Sequence, residues 1–206
     1  MTFQGFTQED FNVFTIDGLE PRMEALQKHI RPKLESLGQF FSQDLSVLSG
    51  EEIFPHVAKH ARRTVHPPKD TWVAFAANKR GYKMMPHFQI GLWETHVFIW
   101  YAVIYEAASK VEVGKRLQKN VDFIKKNIPS DFVWSVDHMK PDSTPHNNLS
   151  KGDLENMFVR LQTVKKAELL CGIQIPQEQA IQMSGEDFLN ICHETYVKLL
   201  PLYKMD

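Results

Sequence analysis

The side chains with the clearest chemical potential are a set of cations in the middle of the chain. Residues 56–126 carry 13 Lys and Arg against 5 Asp and Glu, whereas both flanking regions are acidic. Clustered cations repel one another unless solvent or a ligand compensates them, so this pattern favours an anionic partner. The candidate ligand-binding residues are Arg62, Arg63, Lys69, Lys79, Arg80, Lys83 and His87.

Arg62 is the cation that we expect to contact the anion directly. A guanidinium can hold a phosphate or carboxylate through two parallel hydrogen bonds. Lys79 and Arg80 would add charge from a neighbouring turn, where Gly81 permits close backbone approach. The sequence therefore predicts a binding module for an anionic, phosphate-bearing small molecule. The alternative is a solvated edge whose cations pair with the acidic residues of the two flanking regions.

His60, Glu94 and His96 are weaker candidates for catalysis. Imidazole titrates near neutrality and a carboxylate can orient it, so these three could act as acid, base and orienting group on an anionic substrate. No standard spacing supports that role, and whether the protein is an enzyme stays open. The chain contains no GxxxxGK[ST], GxGxxG or GxSxG motif, and we expect no cofactor.

Two groups of histidines could be considered as metal ligands. His56 and His60 have the spacing of an HExxH motif, but Val57 occupies the position of its glutamate. On a strand the two would lie about 13 Å apart, which is too far to share an ion. The residues Asp137, His138, Asp142 and His146 form a second group on a polar loop, which we interpret first as an exposed turn. We therefore predict no metal site.

Other partners are weakly indicated. Trp72, Phe75, Tyr82 and Phe88 are interleaved with the cations, as in sheets that stack single-stranded nucleic acid, but alternating strands bury such residues more often. The near-neutral isoelectric point, about 6.8, also argues against a dedicated nucleic-acid binder. A homo-oligomer, in which the basic middle meets an acidic surface of a second copy, is the third hypothesis.

The N-terminal and C-terminal thirds have helical patterns. Thr7 and Asp10 have capping-box spacing, and apolar residues then recur every three or four positions from Leu19 to Leu45. Pro32 lies inside this long pattern, so the helix must kink or divide there. Further helices are predicted around Leu117–Ile128, after Ser150, which has Asp153 at capping-box spacing, and after Ser184.

The middle third has strand patterns. We predict strands over Phe54–Thr64, Thr71–Ala76, Phe88–Leu92 and Val97–Tyr105, with the last two forming a hairpin, and further strands at Phe132–Val136 and Ala167–Ile175. Strands that cluster, with helices at both ends, predict an α+β fold with an antiparallel or mixed sheet. Residues 1–206 would form one domain. The longest apolar run is too short to cross a bilayer, and the N-terminus shows no secretory signal, so we expect a cytoplasmic protein without membrane contact.

Several long segments carry a resemblance to a known family. They are HVAKHARRTVHPP, KDTWVAFAANKRGYK, PHFQIGLWETHVF and, near the C-terminus, RLQTVKKAELLCGIQIP. With these segments the chain resembles the YktB-like family of uncharacterised bacterial proteins, found mainly in Firmicutes, over its whole length. The resemblance implies a compact α+β domain in a bacterial cytoplasm and supplies no activity, substrate or catalytic residue.

Overall fold

A seven-stranded antiparallel sheet organises the fold. The computed structural model describes residues 3–205. In spatial order the strands are β1, β2, β3, β4, β7, β5 and β6, and every neighbouring pair is antiparallel. The strand bounds are β1 Phe54–Val57, β2 Asp70–Ala76, β3 His87–Trp93, β4 His96–Val103, β5 Val133–Ser135, β6 Thr144–Pro145 and β7 Leu169–Pro176. The predicted α+β class is confirmed.

The helices lie before, between and after the strands. Their bounds are α1 Gln8–Asn12, α2 Leu19–Ala25, α3 Arg31–Ser49, α4 Lys110–Lys119, α5 Val121–Asn127, α6 Lys151–Thr163, α7 Gln177–Ala180 and α8 Gly185–Lys204. The predicted capping boxes of Thr7 with Asp10 and of Ser150 with Asp153 are both present. Within residues 3–205, no helix combines the length and apolar character needed to cross a membrane.

Pro32 divides the long N-terminal helical pattern, as expected. A π-helical turn, Leu26–Ile30, separates α2 from α3, and Pro32 lies in the first turn of α3. Proline is tolerated there because its missing N–H is one that a helix start leaves unpaired. The helix ends at Gly50, whose φ of 78° places it in the left-handed region that favours glycine.

One face of the sheet carries the main hydrophobic core. Alternate residues of the central strands, such as Phe88, Ile99 and Cys171, point to this face and are fully buried. Helix α3 packs on β1 and β2, while α8 packs on β4 and β7. We call this side the helical face.

The opposite face has a different cover. Its side chains include Trp72, Trp93, Phe98 and Trp100, which form a second, smaller apolar cluster. Because these residues alternate with the core residues along β2, β3 and β4, both faces of the sheet are buried in the middle. Within residues 3–205 this cluster contains no helical residue. Loop residues, among them Asp137 and His138, lie beside it instead. We call it the aromatic face.

The first strand is shorter than predicted. We expected Phe54–Thr64, but β1 ends at Val57, and the last ladder bond runs from Ala58 N to Trp72 O. His60 has a φ of 50°, a left-handed conformation that cannot continue a strand. Residues 59–69 therefore form a loop, and the prediction of a strand over Phe54–Thr64 is wrong beyond Val57.

Candidate functional site

A loop crosses the aromatic face of the sheet and encloses a polar site against it. Residues 136–143, which we call the strap, follow β5 and run back over the sheet. The backbone N–H and the Nδ1 of His138 both bond to Oε2 of Glu168, at 3.0 and 2.7 Å. Gln174 donates to the Pro141 carbonyl and accepts from the Ser143 hydroxyl. These contacts attach the strap to Gln174 on β7 and to Glu168, the residue directly before β7.

The strap encloses a small cavity of about 20 Å³, which we call the inner cavity. Aromatic residues form one part of its wall and polar residues the other. The lining residues are Asp70, Trp72, Gln89, Trp93, Phe98, Trp100, Ser135, Asp137, His138, Lys140, Leu170 and Gln174. A volume of this size holds about one water-sized group.

Asp70 is the most perturbed carboxyl group of the inner cavity. It begins β2 directly opposite Trp93 of β3, and it is only 5% exposed. Burial raises the pKa of Asp70 to about 6, although the charges of Arg63 and His138 and its own backbone N–H act in the other direction. No other residue in the described part of the chain donates a hydrogen bond to this carboxyl group.

A short chain of hydrogen bonds fixes the orientation of the Gln89 side-chain amide. The Nδ1 of His87 bonds to the Met85 carbonyl, so it carries the proton, and burial lowers the pKa of His87 to about 4. The Nε2 of this neutral ring is therefore an acceptor, and it receives the Nε2–H of Gln89 at 2.8 Å. The Oε1 of Gln89 remains as an acceptor on a residue that lines the cavity.

The His138 and Glu168 pair lies at the other side of the same cavity. Burial opposes the charged form of His138, but the hydrogen bond and charge of Glu168 outweigh it, so the pKa of His138 is raised. Burial likewise opposes ionisation of Glu168, and its bonds from His138 outweigh that effect, so its pKa is lowered. Both shifts favour an ion pair, and the charge of His138 is thereby compensated.

A wider groove of about 520 Å³ adjoins the inner cavity, and Asp70 and Trp93 line both. We call it the basic groove, because three of its eight residues are Lys or Arg. Its lining residues are Arg22, Arg63, His66, Pro67, Lys69, Asp70, Trp93 and Met139. Its size falls within the roughly 300–1,000 Å³ of small-molecule sites.

Two hydrogen bonds fix the side chain of Arg22, one of the three cations of the basic groove. It lies on α2 and is only 8% exposed. Its Nε donates to the Ile16 carbonyl and its Nη1 to the Pro68 carbonyl, each at 2.9 Å. Asp17 and Glu94 influence it only at longer range, and within residues 3–205 it forms no ion pair with a carboxylate. Its Nη2 is therefore available to a ligand.

The other two cations of the groove also lack carboxylate partners within the described chain. Arg63 donates from Nη1 to the carbonyls of His66 and Pro67, which orients it along the loop of residues 59–69. Lys69 is exposed and makes no hydrogen bond or ion pair among residues 3–205. The groove thus has three cations against the single carboxyl group of Asp70.

The predicted basic cluster is divided by the structure. Arg63 and Lys69 lie in the groove, whereas Arg62 is exposed and lines neither the groove nor the inner cavity. The remaining cations lie beyond the other end of β2, a seven-residue strand about 20 Å long. These distant residues are Lys79 and Arg80, both exposed on a turn, and Lys83, which pairs with Glu106 at 3.2 Å. The predicted ligand residue His87 is fully buried and supports Gln89.

The three candidate catalytic residues do not meet. His60 bonds to the Thr71 hydroxyl and contacts the Trp72 ring, while His96 bonds to Thr95 and Gln174. Glu94 is exposed on the hairpin between β3 and β4. Burial lowers the pKa of both histidines to about 4, so each is neutral at physiological pH. The structure gives them no common pocket in which to act as acid, base and orienting group.

The remaining histidine and aromatic candidates have structural contacts. His146 accepts from the Trp134 indole and bonds to the Lys125 carbonyl. Phe75 and Phe88 lie in the core of the helical face, and Tyr82 accepts from the Trp72 indole, so these rings form no exposed base-stacking surface. Across residues 3–205, no three His, Cys, Asp or Glu side chains are grouped as metal ligands.

Sequence reasoning missed three residues that define the site. Arg22 lies in the acidic N-terminal third, where it was treated as part of an ordinary helix. Asp70 and Trp93 lie just outside the predicted strands Thr71–Ala76 and Phe88–Leu92, and no functional role is predicted for them. Asp70 did carry a signal, since it is one of only 5 acidic residues in the basic middle region. His138 was placed in an exposed turn, but the structure puts it over the sheet with Glu168.

The fold and this site define an α+β protein with helices on one face of an antiparallel sheet and a loop-covered polar site on the other. The sequence matches the domain of unknown function DUF1054 over residues 6–203, and the chain belongs to this family. It is 54% identical to a UPF0637 protein of Bacillus velezensis, covering 100% of this chain and 98% of that one. It is 56% identical to a UPF0637 protein of Bacillus cytotoxicus, covering 100% and 99%. The expected membership of an uncharacterised bacterial family is confirmed.

Proposed function

We propose that the protein binds a small anionic ligand, such as a phosphate ester, in the basic groove. The observation that carries this proposal is the convergence of Arg22, Arg63 and Lys69 on one groove without a carboxylate paired to any of them. Cations that are held together in this way repel one another, and an anion relieves the repulsion.

The fixed orientation of the Arg22 and Arg63 side chains supports the same function. Main-chain carbonyls hold both guanidinium groups, so little side-chain entropy is lost when an anion binds. The main contacts differ from those predicted from the sequence. Arg22, Arg63 and Lys69 replace Arg62, Lys79 and Arg80, because β2 separates the latter two from the groove.

Isothermal titration calorimetry with inorganic phosphate, pyrophosphate and ethyl phosphate tests the proposal. We expect Lys69→Gln and Arg63→Gln each to weaken binding about tenfold, the effect of losing one charge-assisted hydrogen bond. Lys69→Gln is the more direct variant, since the Lys69 side chain makes no hydrogen bond or ion pair within residues 3–205 that its loss would disturb.

The matched control is the double variant Lys79→Gln and Arg80→Gln. It removes two exposed cations from the far end of β2 while leaving the groove intact. Its affinity should equal that of the original protein. If the control variant lost as much affinity as Lys69→Gln, binding would reflect net charge alone and the assignment to the groove would be wrong. Absence of binding by all three probes would reject the proposed function.

A further inference from the structure

The inner cavity contains a carboxyl group, that of Asp70, which forms no ion pair within residues 3–205, although the charges of Arg63 and His138 act on it. Asp70 is 5% exposed, and apart from its own backbone N–H no residue of the described chain donates to it. A buried carboxyl group without donors costs stability, so native proteins usually supply a partner. Asp70 lines both the inner cavity and the basic groove, so a ligand in the groove can supply that partner.

Aromatic rings line the same cavity. The tip of the Phe98 ring occupies the space above Gly91, because a Cβ on Gly91 would lie only 2.3 Å from its Cζ. The rings of Phe98 and Trp100 stack with centroids 6.1 Å apart and an interplanar angle of 25°. An aromatic ring attracts a cation to its face, so this lining is compatible with a cationic group.

Two acceptor groups line the cavity. Beside the carboxyl group of Asp70, Gln89 offers Oε1, because one N–H of its amide donates to His87 and fixes the orientation of that amide. The amide of Gln174 is occupied by Pro141 and Ser143, and the Ser135 hydroxyl donates to Asp137. Two acceptor groups in a cavity lined by aromatic rings favour a cation that carries several N–H donors.

Two cations, His138 and Lys140, also line the inner cavity, and each is paired with a carboxylate. His138 pairs with Glu168 at 2.7 Å, and Lys140 with Asp137 at 3.6 Å. The volume of about 20 Å³ admits a group the size of one water molecule. A primary ammonium has that size, whereas an aromatic ring does not.

We propose that the inner cavity binds a primary ammonium group through Asp70 and Gln89, so that the ligand is a small zwitterion with its anionic group in the basic groove. The inference rests on the proposed function for the anionic half of the ligand. It adds a chemical class, an aminoalkyl phosphate or a similar amine that carries an anionic group. Asp70 and Trp93, which are shared by both spaces, mark the point where the two halves of the ligand join.

Matched ligands with and without the amine test this inference. The pairs are O-phosphoethanolamine with ethyl phosphate, and 3-aminopropyl phosphate with propyl phosphate, so that two linker lengths are covered. Ethylammonium serves as a probe without the anion. Three of the four tryptophans line the inner cavity, so intrinsic fluorescence reports its occupation alongside calorimetry.

At about pH 8, where Asp70 is ionised, at least one amine ligand should bind about tenfold or more tightly than its partner without the amine. Asp70→Asn should remove that preference, so that each amine ligand binds no more tightly than its partner without the amine. The exposed strap variant Asp142→Asn should retain the preference. These results together would support the ammonium site.

Other outcomes separate the two proposals. Equal affinities within both ligand pairs would overturn the ammonium site and leave the anion groove standing. A preference that survives Asp70→Asn would also overturn it, since the ammonium would then bind elsewhere. Fluorescence quenching by ethylammonium that Asp70→Asn abolishes, without binding of any phosphate ester, would support the ammonium site and reject the anion function. No response to any probe would reject both.

Discussion

His138 and Glu168 connect the strap to the sheet through a single carboxylate oxygen. Both the backbone N–H and the Nδ1 of His138 bond to Oε2 of Glu168, while Oε1 accepts the backbone N–H of Tyr105 at 3.2 Å. Glu168 is 5% exposed and immediately precedes β7. One side chain therefore fixes two otherwise separate segments, and the inner cavity depends on its charge.

We expect Glu168→Gln to lower the free energy of unfolding by about 1.5–3 kcal/mol, the range for charge-assisted hydrogen bonds. An amide presents one N–H₂ group, which must face a donor at either His138 or Tyr105. Urea denaturation followed by circular dichroism measures the change. Glu24→Gln, on the exposed face of α2, is the control and should have no measurable effect. Equal stability of the two variants would show that Glu168 does not hold the strap.

The effect of Glu168→Gln should depend on pH. The pKa of Glu168 is lowered in the folded protein, so its contribution is present above its usual value of 4.5 and is lost as pH falls through the lowered pKa. The pKa of His138 is raised, so its contribution is present below 6.5 and is lost as pH rises through the raised pKa. Urea denaturation across the pH range should therefore show the largest difference between pH 4.5 and 6.5. A difference that is still increasing at pH 9 would contradict the ion pair.

Asp70→Asn should increase stability above neutral pH, in contrast to most changes of buried residues. Burial raises the pKa of Asp70 from 3.8 to about 6, so the folded state loses stability as pH rises through that interval. The net shift, which already includes the opposing charges of Arg63 and His138, corresponds to roughly 3 kcal/mol. The difference should appear in urea denaturation at pH 8 and should disappear near pH 4.

Asp142→Asn is the control for that experiment, because Asp142 is exposed and lies on the strap. It should change stability at neither pH. If Asp70→Asn were destabilising at pH 8, a donor would have to neutralise Asp70 in the ligand-free protein, and the cavity would then lack the unpaired acceptor on which the ammonium site depends. Stability gained at the expense of ligand binding is typical of functional residues.

The elements of the fold were predictable where the local pattern and the packing agree. The alternation of Phe88, Ile90 and Leu92 gave β3 its correct face, and the Ser150 capping box gave the correct start of α6. The segment after Val57 has no such alternation, and the prediction of a strand up to Thr64 relied on position alone. The conformation of His60 and the ladder to β2 decide where β1 ends, and neither has a local sequence signal.

The site was predictable only in part, because charge counts along the chain ignore distance in space. Lys69 and Lys79 are ten positions apart in the chain, and they lie beyond the two opposite ends of strand β2. Arg22 comes from a helix in the acidic third and reaches the groove by bonding to the Pro68 carbonyl. A long-range contact of this kind has no periodicity that a sequence can show.

The two cysteines should be unreactive in the folded protein. Cys171 on β7 and Cys192 on α8 are fully buried and free, and burial raises the pKa of each thiol well above its usual value. Because the thiolate is the reactive form, a colorimetric disulfide reagent should label neither thiol in buffer and both in urea. Rapid labelling of one thiol without urea would show that its surroundings open locally.

Gly91→Ala should disturb the aromatic lining of the inner cavity. A Cβ at position 91 would lie 2.3 Å from the Phe98 Cζ, 2.6 Å from the Thr71 carbonyl oxygen and 2.6 Å from the Trp72 Cβ. The Phe98 ring can rotate away, but the Thr71 carbonyl belongs to the adjacent strand and cannot move without breaking the sheet. We expect a loss of about 1–3 kcal/mol in the free energy of unfolding, the range for overpacked sites. Tryptophan fluorescence should shift, since Phe98 stacks on Trp100.

The matched control is Gly152→Ala on α6, where a new Cβ would meet only the Ser150 Oγ at 3.7 Å. That substitution should stabilise the protein by about 0.5–1 kcal/mol, because alanine loses less backbone entropy in a helix than glycine. The two changes add the same methyl group with opposite expected signs, so thermal or urea denaturation compares them directly. If Gly91→Ala were also neutral or stabilising, the Phe98 ring would have to stand away from the sheet. The aromatic lining of the inner cavity would then differ from the one that supports the proposed ammonium site.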